Sequence, residues 1–579
     1  MKLINDISVI NTEVKQYEKV ELQLFTTAEY DNLEVNPFNY AEIRILAKVK
    51  SPQGEISTIP AFWYQEYDLI LNTTYNSEPT GIHGIASRSE NEPQGLEVAT
   101  LVGDPHFRIR LLPKEEGKHN VEYLVFHNNV LVQTLASTFE VSKNDLDYKG
   151  LVQVEQNFNR NFVFENGQTF IPIGQNTSWY TSSTRKTIDY EIWFEQMALN
   201  NANFGRIWLA PWSFSPHWDN YEDFSTRLNA LARLDRTIEL AAENEIYFML
   251  VILNHGQFSE TVNPMWNENP WNVKNGGFLD LPSQFFTNKK AAEIFKNQLL
   301  YLIARYSYSK NIMSWELFNE VDWTDQFSVI NVHSWHKQMA DYIKENDPYN
   351  HLVTTSYKHH DGAAYSAKNI EFANPHDYGF ANKNMMVSLP PIVELLYKKY
   401  RKPIIMSEIG IDYRSGGGTA QLDPTGISLK QAQWAGVMGG SAGAAMNWWW
   451  DSWVHPNDLY YRFKGVGAYA KKMDMTGESY ELLGKIKGLT INNSKVGILG
   501  YKIDHRIYGY VFDKDWKHSK AIVDDRDVTL KIPLDNGSYK LEIFDTNTGE
   551  IIKSTIIEVD NKEVTLDFTF NEDYAFMIR

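Results

Sequence analysis

The chain has 579 residues, too long for a single core and long enough for two to four domains. Its formal charge of −18 argues against nucleic acid or an anionic membrane as partner, and the absence of cysteine excludes a disulfide framework and thiolate chemistry. No apolar run reaches membrane-span length, and the start, Met1-Lys2-Leu3-Ile4-Asn5-Asp6, shows no signal-peptide pattern. As written the chain fits a cytoplasmic protein, and a secreted one whose signal had been removed would read the same.

Residues 1–145 read as strands. The runs 20–25, 41–49 and 107–112 alternate apolar and polar positions with period two between Gly, Pro and Asn breaks, the pattern of an antiparallel β-sandwich. A polar stretch at 142–150 reads as a linker. From 151 to about 485 short apolar strands (170–174, 205–209, 247–253, 312–318, 351–355, 370–373, 403–407, 442–448) alternate with helical stretches (189–200, 223–243, 289–306, 328–345, 391–400, 429–438). Eight such strands predict a (β/α)8 TIM barrel better than an open sheet, and no Gly-rich phosphate loop follows any of them. Strands return at 490–579 and predict a small C-terminal β-sandwich.

The run Ile312-Met313-Ser314-Trp315-Glu316-Leu317-Phe318-Asn319-Glu320 is an apolar strand that ends in Asn-Glu, and Pro403-Ile404-Ile405-Met406-Ser407 runs into Glu408. An ionisable group at the tip of a buried strand is costly unless it is paired or used. In a barrel the site forms at the carboxyl ends of the strands, so these glutamates should converge. Glycoside cleavage needs such a pair, one carboxyl to protonate the leaving oxygen and one to attack the anomeric carbon. Read in strand order, the other tips carry Arg206, Asn254-His255, His376-Asp377-Tyr378 and Asn447-Trp448-Trp449-Trp450-Asp451.

That ordered set resembles the retaining glycoside hydrolases of clan A, especially family 5-like cellulase and mannanase barrels, with Asn319-Glu320, His376-x-Tyr378 and Glu408 as its strongest parts. The resemblance implies a retaining β-glycosidase acting on β-linked oligo- or polysaccharide by double displacement. It also implies roles. Glu320 would be the acid/base and Glu408 the nucleophile, and Asn319 would bind the sugar 2-hydroxyl. Tyr378 and Arg206 would hold Glu408 ionised, and His255 and His376 would bind hydroxyls or support the glutamates. Trp448, with Trp450 on the same face of a period-two strand, would floor the cleaved sugar.

A retaining pair should hold its carboxyl groups ~5–5.5 Å apart. The alternative reading is a non-catalytic carbohydrate-binding protein on a barrel scaffold, and the presence of both glutamates weighs against it. No cofactor and no metal is expected, since there is no HExxH motif or His/Asp cluster beyond the sugar-site histidines. Trp266 and Trp271 could line further subsites or pack a long loop. Asp412, Asp451 and His359-His360 fit no pattern.

Overall fold

The computed structural model describes residues 1–11, 13–75, 92–414 and 416–579. In the N-terminal region two four-stranded antiparallel sheets form. One runs Ile4–Val9, Val20–Thr26, Leu96–Leu111, Phe62–Asn72 and the other Ile56–Pro60, Ile43–Lys50, Gly117–His127, Val130–Val141. Ile43, Ile45, Ala47 and Val49 alternate inward from one sheet and meet Leu22, Leu24 and Ile109 of the other in one apolar core. The period-two pattern of the sequence sets that arrangement.

The central region is a parallel ring. Phe204–Trp208, Tyr247–Asn254, Ile312–Asn319 and Leu352–Thr354 pair in order, and so do Ser356–Tyr357, Asn374–Asp377 and Glu408–Ile409. Ile409 bridges Asn447 and Gly174 bridges Phe204. The Ala444 amide then donates to Pro172 O at 2.8 Å and the Asn176 amide to Asn447 O at 3.1 Å, which joins the last segment to the first.

Three predicted strands, 170–174, 403–407 and 442–448, contribute single bridges to the ring instead of ladders over their expected spans. Backbone bonds persist there, as from the Met446 amide to Met406 O at 2.9 Å, and side chains add to them. Asn176 Nδ2 donates to the carbonyls of Ser407 (2.7 Å) and Asn447 (2.9 Å), and Gln433 Nε2 to those of Gly174 and Ala445, both at 3.0 Å. The strand expected at 370–373 lies one step on, at Asn374–Asp377, because its inward residues are polar and break the apolar pattern. Helices fall close to expectation, and Lys289–Tyr306 matches at both ends.

C-terminally a six-stranded sheet (Tyr480–Leu482, Val496–Ile503, Arg506–Asp513, Asp573–Ile578, Gly537–Phe544, Ile551–Val559) faces a three-stranded one (Thr490–Ile491, Arg526–Pro533, Glu563–Phe570). Tyr480–Leu482 pairs with Val496–Ile503, so this region begins inside the range expected for the ring.

The three regions share one core. It contains Phe38 and Tyr40 from a turn and Phe62 and Tyr64 from a strand of the N-terminal region, and Tyr501, Tyr508, Tyr510 and Phe512 from the C-terminal sheets. Trp434 of the ring stacks on Tyr510 with centroids 4.5 Å apart and planes at 9°. A buried ion cluster reinforces the N-terminal contact. Arg110 of the long N-terminal strand donates to both oxygens of Asp235 at 2.8 and 3.1 Å, Arg305 donates to the same carboxylate at 3.2 and 2.6 Å, and Arg110 also reaches Glu21 at 2.7 Å. Burial alone would raise the Asp235 pKa, but the two guanidinium groups outweigh it and hold the carboxyl below its usual range. Among the described residues no helix is long and apolar enough to cross a membrane.

Candidate active site

The strand tips converge at one end of the ring. Arg206, wholly buried in its strand, is the hub. Its Nε and Nη2 form a two-pronged pair with Glu316 (2.8 and 2.7 Å), its Nη1 donates to Glu408 Oε1 (2.7 Å) and Asn176 Oδ1 (3.1 Å), and Nη2 also reaches Asn319 Oδ1 (2.8 Å). Arg206 is therefore both an ion-pair partner inside the ring and a clamp on Glu408. Its rigid fork suits that double task. Glu316 and Asn176 complete this network, and neither stood out in the sequence.

Glu408 receives a second donor, the Tyr378 hydroxyl at 2.7 Å. Glu320 sits opposite. His376 Nδ1 lies 2.9 Å from Glu320 Oε1 and 3.5 Å from Glu408 Oε2, while its Nε2 lies 3.0 Å from Ser407 Oγ. His255 Nδ1 is 3.5 Å from Glu320 Oε2 and 3.2 Å from Asn319 Nδ2, and its Nε2 is steadied by Asn263 at 3.0 Å. One oxygen of each glutamate and one ring nitrogen of His376 all lie within 4.8 Å of one another.

The backbone at Glu320 is left-handed (φ 47°, ψ 52°). A non-glycine residue there costs on the order of 1–2 kcal/mol, so its surroundings must impose it. They do: the Glu320 amide donates to Ser356 Oγ at 3.0 Å, and its carbonyl accepts from the Trp323 amide at 2.9 Å. This turn lets Asn319 and Glu320, adjacent in sequence, both face the cleft.

Burial pushes both glutamate carboxyls up. At Glu320 the neighbouring His376 and His255, when protonated, outweigh it and hold the carboxyl below the usual range. At Glu408 burial, together with the Glu320 charge, outweighs His376, Arg206 and Tyr378 and leaves the carboxyl raised. Two fixed donors oppose that burial at Glu408: the Arg206 guanidinium, whose charge is permanent, and the Tyr378 hydroxyl both favour its negative charge.

Among the described residues the Glu320, His376 and Glu408 trio is the one group spaced to hold a metal ion. Its donor set fits one poorly. The Arg206 guanidinium lies 2.7 Å from Glu408 Oε1, and the Tyr378 hydroxyl donates to its other oxygen, so both carboxylate oxygens already have donors.

Five tryptophans, Trp448, Trp450, Trp179, Trp208 and Trp212, form one packed cluster. Trp448, half-buried, packs at 5.5 Å from Trp179, 5.1 Å from Trp208 and 5.4 Å from Trp450. Trp212 meets Trp179 at 4.9 Å and 87°. Trp450 corrects the sequence expectation. It is 1% exposed, wedged against Trp179 and Trp193 behind Trp448. The chain leaves extended geometry there, because Trp450–Val454 form a single π-helical turn, and period-two alternation no longer applies. Trp266 and Trp271 are buried and pack their loop, Trp271 stacking on Tyr221 at 4.9 Å.

In the same π turn Asp451 is 5% exposed, with Oδ1 lacking a hydrogen-bond partner. Burial raises its pKa from 3.8 to about 6. Between those values the folded chain binds more protons than the unfolded one, so stability falls as pH rises. Above pH 6 the loss reaches about 3 kcal/mol. Asp451→Asn should therefore gain stability over the wild type progressively from pH 4 to 6 and hold that gain above it. Urea denaturation across that range checks this, and a pH-independent difference would contradict it.

Residues 221–383 match the family model described as GH family 5 beta-mannosidase-like. The chain resembles the family 5 glycoside hydrolases. The matched residues include His255, Asn319, Glu320, His376 and Tyr378 and stop short of Glu408. Mannan endo-1,4-beta-mannosidase 4 of Solanum lycopersicum is 25% identical over 252 residues, covering 38% of this chain and 58% of that protein. Mannan endo-1,4-beta-mannosidase 1 of Arabidopsis thaliana is 34% identical over 83 residues, 13% of this chain and 20% of that one. The chain thus spans less than two thirds of either relative. A candidate glycoside hydrolase from Bacteroides vulgatus shares the fold across 98% of this chain and 99% of its own, at 16% identity and a TM-score of 0.62.

Proposed function

We propose that the protein is a retaining β-glycosidase of the family 5 type, with β-mannosides as its first substrate class. In this reading the parallel ring is a (β/α)8 barrel that holds all the chemistry within about 151–485, and the flanking β regions are sandwich modules packed on it. The observation that carries the reading is the asymmetric carboxyl pair: two buried glutamates with oxygens within 4.8 Å, only one of them clamped by Arg206 and Tyr378. That spacing suits a retaining pair, because inversion needs room for a water and a separation of roughly 6.5–9.5 Å.

Glu408, ionised and aimed, attacks the anomeric carbon while Glu320 gives its proton to the leaving oxygen. The glycosyl-enzyme carries no charge at Glu408, so Glu320 then holds its negative charge easily and takes a proton from the incoming water. Asn319, fixed by Arg206 and His255, presents its amide to the sugar 2-hydroxyl, where a hydrogen bond strengthens in the transition state. Trp448 offers an apolar face to the sugar, backed by Trp208 and Trp179.

The mannose preference rests on the names of the similar proteins. A panel of aryl β-glycosides, assayed with and without chelator, tests the whole reading. The expected result is hydrolysis of the β-mannoside, unaffected by chelator. Inactivity on every member, or loss of activity to chelator, would overturn it.

A further inference from the structure

The loop after the fifth ring strand reads Lys358-His359-His360-Asp361, and its charged side chains play no part in the chemistry above. Three successive residues are each tied to a different element. His359 Nδ1 lies 2.6 Å from Asp322 Oδ2, and Asp322 also accepts the amides of Lys358 (2.9 Å) and His359 (3.1 Å). His360 Nε2 lies 2.7 Å from Asp377 Oδ2. Asp361 accepts from Lys399 Nζ at 2.5 Å and from the Tyr400 hydroxyl.

The positions of the first two partners matter. Asp322 stands two residues after Glu320, and Asp377 stands between His376 and Tyr378, the partners of the two glutamates. Both aspartates are shielded, with side chains 6% and 19% exposed, while His359 and His360 lie outside them at 68% and 39%. The loop is thereby fastened to the strand tips that carry Glu320 and its imidazole partner. Gly362 makes the turn tight, since a Cβ there would sit 2.3 Å from the Tyr357 ring.

Lys358 is the one member of the run whose side chain is not used as an anchor. Its Nζ lies 3.5 Å from the centroid of Trp323, a half-buried ring three residues past Glu320. The side of the cleft next to the acid/base is where the leaving group must sit.

We propose that His359 and His360 are positioning residues that fasten this loop to the tips of the fourth and sixth ring strands and so present Lys358 and Trp323 as a binding surface for the leaving-group sugars. This rests on the glycosidase reading. The ammonium caps one face of the indole at 3.5 Å, so a further sugar residue would meet the ammonium with its hydroxyls and the rest of the ring with its C–H groups. An aryl leaving group ends before it could use them.

The test uses the full chain with His359→Ala and His360→Ala combined. It compares a dinitrophenyl β-glycoside with a β-1,4-linked oligosaccharide of the sugar on which the wild type acts. On the oligosaccharide kcat/KM should fall about tenfold or more, since small misplacements of bound groups are costly, while the aryl glycoside stays within about threefold. Equal losses on both substrates, or no loss on either, would overturn the proposal. Lys358→Ala and Trp323→Phe, both at half-buried positions, should show the same split if the double variant folds poorly, and no split in either overturns the binding surface.

Hydrogen exchange reads the fastening without catalysis. The amides of Lys358 and His359 should exchange about tenfold faster in the double variant. Unchanged exchange would refute the fastening even if the wild type hydrolysed no glycoside, an outcome that would sink the glycosidase reading separately.

Discussion

Glu408→Ala should abolish hydrolysis of every glycoside, whatever the leaving group, because in the proposed mechanism no glycosyl-enzyme forms without Glu408. Glu320→Ala should behave differently. With a dinitrophenyl glycoside, whose leaving group needs little acid help, it should still form the glycosyl-enzyme and then stall for want of a base. Substrates with poor leaving groups should lose on the order of 10²–10⁴ in kcat. Azide needs no base, so it should restore turnover in both variants and give products of opposite configuration. The Glu320 variant should yield the β-azide through two displacements, and the Glu408 variant the α-azide through one. Nuclear magnetic resonance of the products decides the matter. Opposite assignments would reverse the two roles, and unimpaired turnover in both variants would place the chemistry elsewhere.

The largest stability effect should come from a residue far from the cleft. Asp235→Ala removes the carboxylate shared by Arg110 and Arg305 and leaves two buried guanidinium groups facing each other. Breaking a buried ion pair in this way costs roughly 3–5 kcal/mol. Urea denaturation followed by tryptophan fluorescence should show a lower midpoint. A loss below about 1 kcal/mol would mean that the cluster is effectively solvated. Removing residues 1–145 takes away Arg110 and also Phe38, Phe62 and Tyr64, which belong to the common core, so that truncation should impair folding outright.

The sequence pointed to the candidate site where polarity interrupts an apolar strand at its tip. Glu320 and Glu408 are legible because a carboxylate ending a buried run must be accounted for. Glu316 was legible in principle, for it lies mid-strand in the same apolar run, and Arg206 is the single charge of its own strand. A buried charge of each sign implies a pair. Asn176 was not legible, because its segment makes no ladder and carries no periodic signal. Trp450 was misread since alternation was extended one residue beyond the strand. The partners of His359 and His360 lie 37 and 17 positions away, distances at which local patterns say nothing. Helices with an amphipathic face, such as Leu228–Glu243, were legible because that spacing is local, while Tyr461–Ala470 was missed, and the ring closure was harder because single bridges leave no periodic signal.

The left-handed turn at position 320 has a consequence for inheritance. Glycine and asparagine adopt that geometry with less penalty than glutamate, and glutamate also carries a buried charge. Stability therefore favours replacing this residue, and the proposed role in catalysis would be what retains it. In a lineage that lost the need for the reaction, position 320 should be among the first to drift, towards glycine or asparagine, while Arg206 and Glu316, each held by the other, should persist long after. A collection of diverged descendants sorted by the residue at 320 would separate working copies from relics before any assay was run.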